Sequence, residues 1–359
     1  MTQGFNLYST DVTVYNIIRE IVGQNNIDDF SKVLLIPDPL SSFGDQEVSR
    51  AQLSMSLFLT LYADLLERVP HAKKYFERHK LEERTILFDH GAVRTVLHDR
   101  NGALPAGEES LVRILKALGY FHNHTYPLEK LKMTGRSYTQ ADFPTLIPQY
   151  FVSEFHVERV QDDEFIKAVI NVTEDSIDPL NEETKQDLEF LNTNKYLPRE
   201  RCSEFLANCA SAFARQHPVP ELHDYKRIIK HSAEMAWITT EGNAFNHATD
   251  RVTNLTALVD EENSLGTPMK ETIEVSKTGR ILQTAYRADP IERPFIDEKG
   301  ECVQIEVPGS FFEFIQREID PETGELDLQF DASNATGIFK MTEGDHKNID
   351  PIDEFDQLE

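Results

Sequence analysis

From Gln46 to His79 the apolar positions Leu53, Met55, Leu57, Phe58, Leu61, Leu65 and Leu66 recur at mixed three- and four-residue spacing. That spacing predicts helix, and Pro70 divides the run into two helices rather than one. Residues 1–83 therefore read as a helical N-terminal layer. At Arg84 the period changes. TILFDHGAVRTVL reads as a strand, a Gly/Pro/acid-rich connection spans Asn101 to Glu108, and a helix runs from Leu111 to Tyr120. YFHNHTYPL, LEKLKMTGRSYT and PQYFVSEFHVERV follow as strands. The order over 84–160 is β-α-β-β-β.

Residues 161–237 return to helical patterning, as in EETKQDLEFLNT, RERCSEFLANCASAFARQ and ELHDYKRIIKHSAEMA. The β-α-β-β-β order then recurs over 238–318. NAFNHATDRV is a strand, VTNLTALVDEENSLG a helix, and PMKETIEVS, RILQTAYRAD and GSFFEFIQRE are strands separated by the turns KTGR and DEKGE. The predicted fold is α+β, with two βαβββ modules forming a curved sheet and helical segments before and between them. Residues 319–359 form an acidic C-terminal segment. From Glu318 onward thirteen Asp/Glu stand against two Lys, which predicts a loose, solvated final dozen residues. Within that segment DLQFDASNATGIFKMTE has enough apolar residues to fold back as a lid.

The two modules open with nearly the same words. Phe88-Asp89-His90-Gly91-Ala92-Val93-Arg94 matches Phe245-Asn246-His247-Ala248-Thr249-Asp250-Arg251, both F-[DN]-H-x-x-x-R. Side chains two and four apart on a strand share a face, so His90 and Arg94 point one way, and so do His247 and Arg251. If the modules pair about a pseudo-twofold axis, both histidines converge in the sheet concavity. Two imidazoles and one carboxylate make the facial triad that leaves positions open on Fe(II).

The carboxylate expected to complete it is Glu313, set among apolar and aromatic neighbours in Ser310-Phe311-Phe312-Glu313-Phe314-Ile315. A buried acid needs a partner, and a metal is one. Glu313 also admits a reading as an outward-facing strand residue, and a single strand histidine is more often core or surface than ligand. The repeat is what reverses that preference. Arg94 is placed to bind a substrate carboxylate bidentately, although a structural ion pair is its plainer reading. Arg251 ranks below it because Asp250 and Asp260 offer salt-bridge partners. Gln283 either orients substrate or fills the interior. His122 and His124 share a face of a strand expected to carry support rather than metal, and His98, His156 and His231 have no patterned partner.

Composition narrows the picture without changing it. Hydrophobic residues make up 40% and charged residues 27%, a globular balance. A net charge of -26 repels phosphate backbones and anionic lipid, so no nucleic-acid or membrane partner is expected. No run approaches the ~18 apolar residues of a membrane span, and no basic-then-apolar leader opens the chain, so the cytoplasm is the expected compartment. Three cysteines without CxxC spacing give neither a disulfide framework nor a zinc ribbon, and Cys202 and Cys209 read as packing residues.

FDHGAVRT, FNHATDRV and FFEFIQR together resemble the 2-oxoadipate dioxygenase/decarboxylase (hydroxyglutarate synthase) family, a distant relative of the vicinal-oxygen-chelate proteins. The resemblance runs from about Arg84 to Glu318. It implies His90, His247 and Glu313 as ligands of Fe(II), Arg94 as the residue that binds a substrate carboxylate, and a small 2-oxo acid and O2 as the reactants. The implied reaction is oxidative decarboxylation of 2-oxoadipate to 2-hydroxyglutarate and CO2. This chain is shorter after the glutamate strand than the enzymes of that activity, which bears on the identity of the acid. Two other expectations stay in play. One is a glyoxalase-type isomerase or lyase using Ni(II), Zn(II) or Mn(II) without consuming O2, which would need a fourth protein ligand; no second glutamate is well placed, and Glu154 is the best candidate. The other is a binding protein that keeps the fold without the metal.

Overall fold

The computed structural model describes residues 4–6 and 8–331. Its organising helix is α1 (Arg50–Arg68), opened by a capping box in which Ser49 accepts from Gln52 N and the Gln52 side chain accepts from Ser49 N. Fifteen of its residues are buried, on every face, as befits a helix lying inside the molecule rather than on it. Pro70 occupies the first turn of α2 (Pro70–Leu81), where its missing N–H costs nothing.

The first module comprises β1 (Phe88–Leu97), α3 (Glu109–Ala117), β2 (Tyr120–Leu128), β3 (Met133–Gln140) and β4 (Gln149–His156). Helices α4 (Asp163–Thr173), α5 (Glu182–Asn194), α6 (Arg199–Ser211), α7 (Leu222–Ile229) and α8 (Ala233–Glu241) follow. The second module comprises β5 (Phe245–Arg251), α9 (Leu255–Ser264), the two-residue β6 (Glu274–Val275), β7 (Ile281–Ala285), and, after an inserted hairpin of β8 (Pro290–Ile296) and β9 (Cys302–Pro308), β10 (Phe311–Arg317).

One strongly curled eight-stranded sheet contains both modules, in the order β6-β7-β10-β5-β1-β4-β3-β2. Each half reads outward as first, last, third and second strand of its module. The first strand pairs parallel with the last, and the two first strands, β1 and β5, meet antiparallel at the centre. This is the pseudo-twofold arrangement the repeat predicts.

The hairpin β8–β9 is a correction. DEKGE was expected to separate two sheet strands, but it forms the tip of a separate two-stranded ribbon. Pro290, Pro294 and Pro308 argue against a central strand, and a ribbon paired on one side only tolerates them.

The back of the sheet is aromatic. Phe58 of α1 lies 4.9 Å from the Phe88 ring and 5.3 Å from that of Phe245, and Tyr62 lies 4.6 Å from Phe88. Tyr75 of α2 covers Phe312 and Phe314 at 5.4 and 5.0 Å. Gly91 is required where β1 crosses this layer, because a Cβ there would stand 2.6 Å from the Phe245 ring. Cys202 and Cys209 are buried packing residues, as expected. Among the described residues no helix is long and apolar enough to cross a membrane.

Candidate metal centre

The first strand of each module carries a bulge, and the bulges shape the site. Between β1 and β5, Phe88 pairs with Asp250 and His90 with Thr249, which leaves Asp89 unmatched. Ala92 pairs with His247 and Val93 with Phe245, which leaves Asn246 unmatched. An extra residue switches the alternation of a strand. Phe88 and Phe245 therefore face the helices while His90 and His247 face the concavity, although each pair is two residues apart. It also turns Asp89 and Asn246 toward the histidines that follow them. Asp89 Oδ1 lies 2.9 Å from His90 Nδ1, and Asn246 Oδ1 lies 3.2 Å from His247 Nδ1. Each acceptor holds the proton on Nδ1 and leaves Nε2 an acceptor that can ligate; that of His90 lies 3.2 Å from the Thr249 hydroxyl, which donates to it.

Glu313 completes the group. Phe312 and Phe314 point to the aromatic layer, so Glu313 between them points into the concavity, where it is 1% exposed. Ligand atoms of His90, His247 and Glu313 all lie within 4.8 Å of one another. His247 Nε2 stands 3.1 Å and His90 Nε2 3.8 Å from the carboxylate, but neither Glu313 oxygen has a hydrogen-bond partner among the described residues. Burial pushes this carboxyl well above its ordinary value, with the charges of Glu274 and Asp89 adding to the effect. Burial also holds both imidazoles below their usual value, His247 further because His90 and Arg94 lie near. Two neutral imidazoles and an orphaned carboxylate fit a divalent cation, which binds the former as they are and ionises the latter.

The supports of His90 come from the other module. Arg317 grips Asp89 with Nε and Nη2 at 2.8 and 2.9 Å, and Arg251 Nε reaches it at 2.7 Å. Burial alone would raise the Asp89 carboxyl, but Arg317 and Arg251 overcome it and hold it well below the usual range. Arg251 thus binds Asp89 and the Thr145 carbonyl, and not the expected Asp250 or Asp260. Asp250 instead accepts from Tyr75 Oη and Leu87 N on the helical side.

A cavity with ≈ 550 Å³ of empty space, part of it open to solvent, surrounds the triad. Arg94 and Gln283 line it, together with Ala92, Tyr126, Phe151, Ser153, Phe330 and Asp331. Arg94 is 1% exposed and lies 4.9 Å over the ring of Trp237, the chain's one tryptophan. Burial lowers its guanidinium to about 10, offset in part by Glu234, so it stays cationic at neutral pH. Gln283 donates to Glu274 at 3.1 Å.

Other expected residues lie elsewhere. Glu154, the best candidate for a fourth ligand under the isomerase reading, accepts from Glu108 N at 2.8 Å and pairs with Arg136 at 3.1 Å, outside the cavity. Strand pairing matches His90 with Gln149 and His247 with Phe311, so the position equivalent to Glu313 in the first module is Phe151. His122 and His124 are exposed on the outermost strand, β2. His98 contacts Thr173, His156 lies beside Glu154, and His231 lies 3.8 Å from Asp162.

Of the expected lid, Asp327–Asp331 are described and residues 332–343 lie outside the described residues, as does the expected loose tail. Arg317 Nη1 donates to the carbonyls of Asp327 and Gln329, Gln149 to that of Leu328, and Phe330 N donates to Tyr126 Oη. These bonds set the Phe330 ring 4.8 Å from His90 and 5.0 Å from Phe151.

The description of one family fits this centre, and its family model, that of 2-oxoadipate dioxygenase/decarboxylase, matches residues 39–340. The chain belongs to that family. Membership makes it an oxidoreductase of the dioxygenase/decarboxylase type rather than a metal-free binding protein. A protein assigned to the glyoxalase superfamily, from Ralstonia eutropha JMP134, is similar at 44% identity and TM-score 0.85, over 89% of this chain and 98% of that one. Hydroxyglutarate synthase from Oryza sativa, in complex with 2-oxoadipate, shares the fold at 18% identity and TM-score 0.64, over 86% and 99%. The Pseudomonas putida hydroxyglutarate synthase in complex with 2-oxoadipate shares it at 16% identity and TM-score 0.55, over 84% of this chain and 75% of that one. No curated protein matches the chain.

Proposed function

We propose that this enzyme holds Fe(II) with His90, His247 and Glu313 and converts 2-oxoadipate and O2 to 2-hydroxyglutarate and CO2. The observation that carries the reading is the Glu313 carboxylate, buried without a hydrogen bond from any described residue, between two imidazoles whose Nε2 atoms are left as acceptors. Bound there, Fe(II) supplies a Lewis-acidic, redox-active centre with positions open to a 2-oxo acid and to O2. Phe151, at the place a fourth carboxylate would take, supports three protein ligands over the four of the glyoxalase-type reading. The co-crystallised 2-oxoadipate of the rice and Pseudomonas relatives supports the choice of acid.

The chain's own residues have separable tasks. Asp89 and Asn246 fix the tautomers of the ligand histidines. Arg94 binds the far carboxylate of the acid, and Phe151 and Phe330 in the cavity lining keep water from the reacting end. The balance is closed: carbon 1 leaves as CO2, one atom of O2 completes the new carboxylate, and the other becomes the hydroxyl beside it. No second 2-oxo acid is consumed. Anaerobically Fe(II)-loaded protein given 2-oxoadipate and isotopically labelled O2 should yield 2-hydroxyglutarate carrying both oxygen atoms, with one CO2 per O2. An unlabelled product, or one formed without CO2, would replace this reading with the isomerase or lyase one.

A further inference from the structure

The parallel pairing of β1 with β4 aligns side chains across the cavity floor in three successive rungs. His90 stands beside Gln149, Ala92 beside Phe151, and Arg94 beside Ser153. Rungs two residues apart share a face. The floor therefore changes from metal-binding, to apolar, to cationic and hydroxylic over about 13 Å along the strand. A molecule complementary to that sequence has a chelating head, a short methylene middle and an anionic tail.

Ser153 is the unexplained member. It interrupts a run of large side chains in Gln149–His156, is 2% exposed and lines the cavity, and has no hydrogen-bond partner among the described residues. A hydroxyl that lines the cavity and is bonded to no described residue is available to a ligand, as an alanine at this position would not be. On its other side Ser153 pairs with Gly135 of β3, which puts no side chain beside it. The Phe151 ring leans over Gly135 instead, where a Cβ would come within 2.5 Å of it.

We infer that Ser153 is a substrate-binding residue which, beside Arg94, selects 2-oxo acids that end in a second carboxylate. This rests on the reading of the triad as a 2-oxo acid site. The guanidinium supplies charge and directed donors, and the Ser153 hydroxyl donates to the tail carboxylate from the neighbouring strand. An acid of equal length ending in a methyl group would leave both groups facing hydrocarbon, and a site built on hydrogen bonds rejects such an analogue strongly.

The test compares equilibrium binding of 2-oxoadipate and 2-oxohexanoate to Fe(II)-loaded protein by calorimetry under nitrogen, for the wild type and Ser153→Ala. Thermal melts of both proteins show that the fold is kept. The wild type should prefer 2-oxoadipate, and S153A should lower that preference about tenfold or more, the worth of one hydrogen bond to a charged group. Equal weakening of both acids, or no change in either, would overturn the assignment of Ser153 while leaving the 2-oxo acid reading standing. A wild type that binds neither acid would remove that reading, and this inference with it.

Discussion

Asp89 and Asn246 stand at equivalent places in the two halves and differ by one charge, so the two ligand histidines are not supported equally. A carboxylate held ionised by Arg251 and Arg317 makes a stronger bond to Nδ1–H than a neutral amide does. Asp89→Asn should weaken metal binding by about 10–100-fold, the usual cost of losing such a partner, and Asn246→Ala should cost less. Metal titration of the two variants checks the order; an equal or reversed loss contradicts it. Arg94→Ala should chiefly raise KM for the 2-oxo acid while the metal stays bound, and retained affinity for the acid would count against its role.

Asp250 carries a prediction of another kind. Burial raises its carboxyl from 3.8 to about 7, against the bonds from Tyr75 and Leu87 and the charge of Arg251. The folded protein then keeps a proton that the unfolded chain releases, so this residue's contribution to stability falls as pH rises from about 4 to about 7. Asp250→Asn should therefore gain stability relative to the wild type across that window. Denaturant titrations on either side of it provide the check, and a difference that does not grow with pH refutes the assignment.

At the scale of elements, strand β1 shows what a sequence can and cannot disclose. Its apolar pattern, the F-[DN]-H repeat and the position of Arg94 were all legible, and so were the paired modules and the acid in β10. The bulge was not. Strict alternation puts Phe88 and His90 on one face and hides Asp89 on the other, whereas one unmatched residue reverses both assignments. The [DN] of the repeat was the available signal, since the same chemistry recurs beside each histidine. Arg317 and Phe330 were illegible for a different reason, because their contacts join segments far apart in the chain. Glu154 is unsuited to a fourth ligand's role because Arg136 and Glu108 N already hold its carboxylate. The helical layer behind the strands is itself testable. Phe58→Ala removes the ring that touches Phe88, Tyr150 and Phe245 and should cost about 3–5 kcal/mol in denaturant unfolding. A cost below about 1 kcal/mol would mean that this layer does not brace the ligand strands.

Taken whole, the molecule is two related modules whose first strands meet antiparallel, with the candidate metal centre where they meet. Each module alone contributes one histidine. Only the second contributes the carboxylate, and the first places Phe151 at the equivalent point. Against a chain of net charge -26, the cavity lining carries a buried cation, Arg94. The centre should also stabilise the fold, because its ligands converge only when both modules are assembled. At a hundredfold excess over its Kd, Fe(II) should add about 2.7 kcal/mol to unfolding, and Glu313→Ala should abolish that gain.

The most direct test of the central claim is O2 uptake by anaerobically Fe(II)-loaded protein offered 2-oxoadipate, run beside His247→Ala. Uptake should depend on 2-oxoadipate and disappear with the histidine. Bound metal with no uptake, for 2-oxoadipate or any other 2-oxo acid, would contradict that claim.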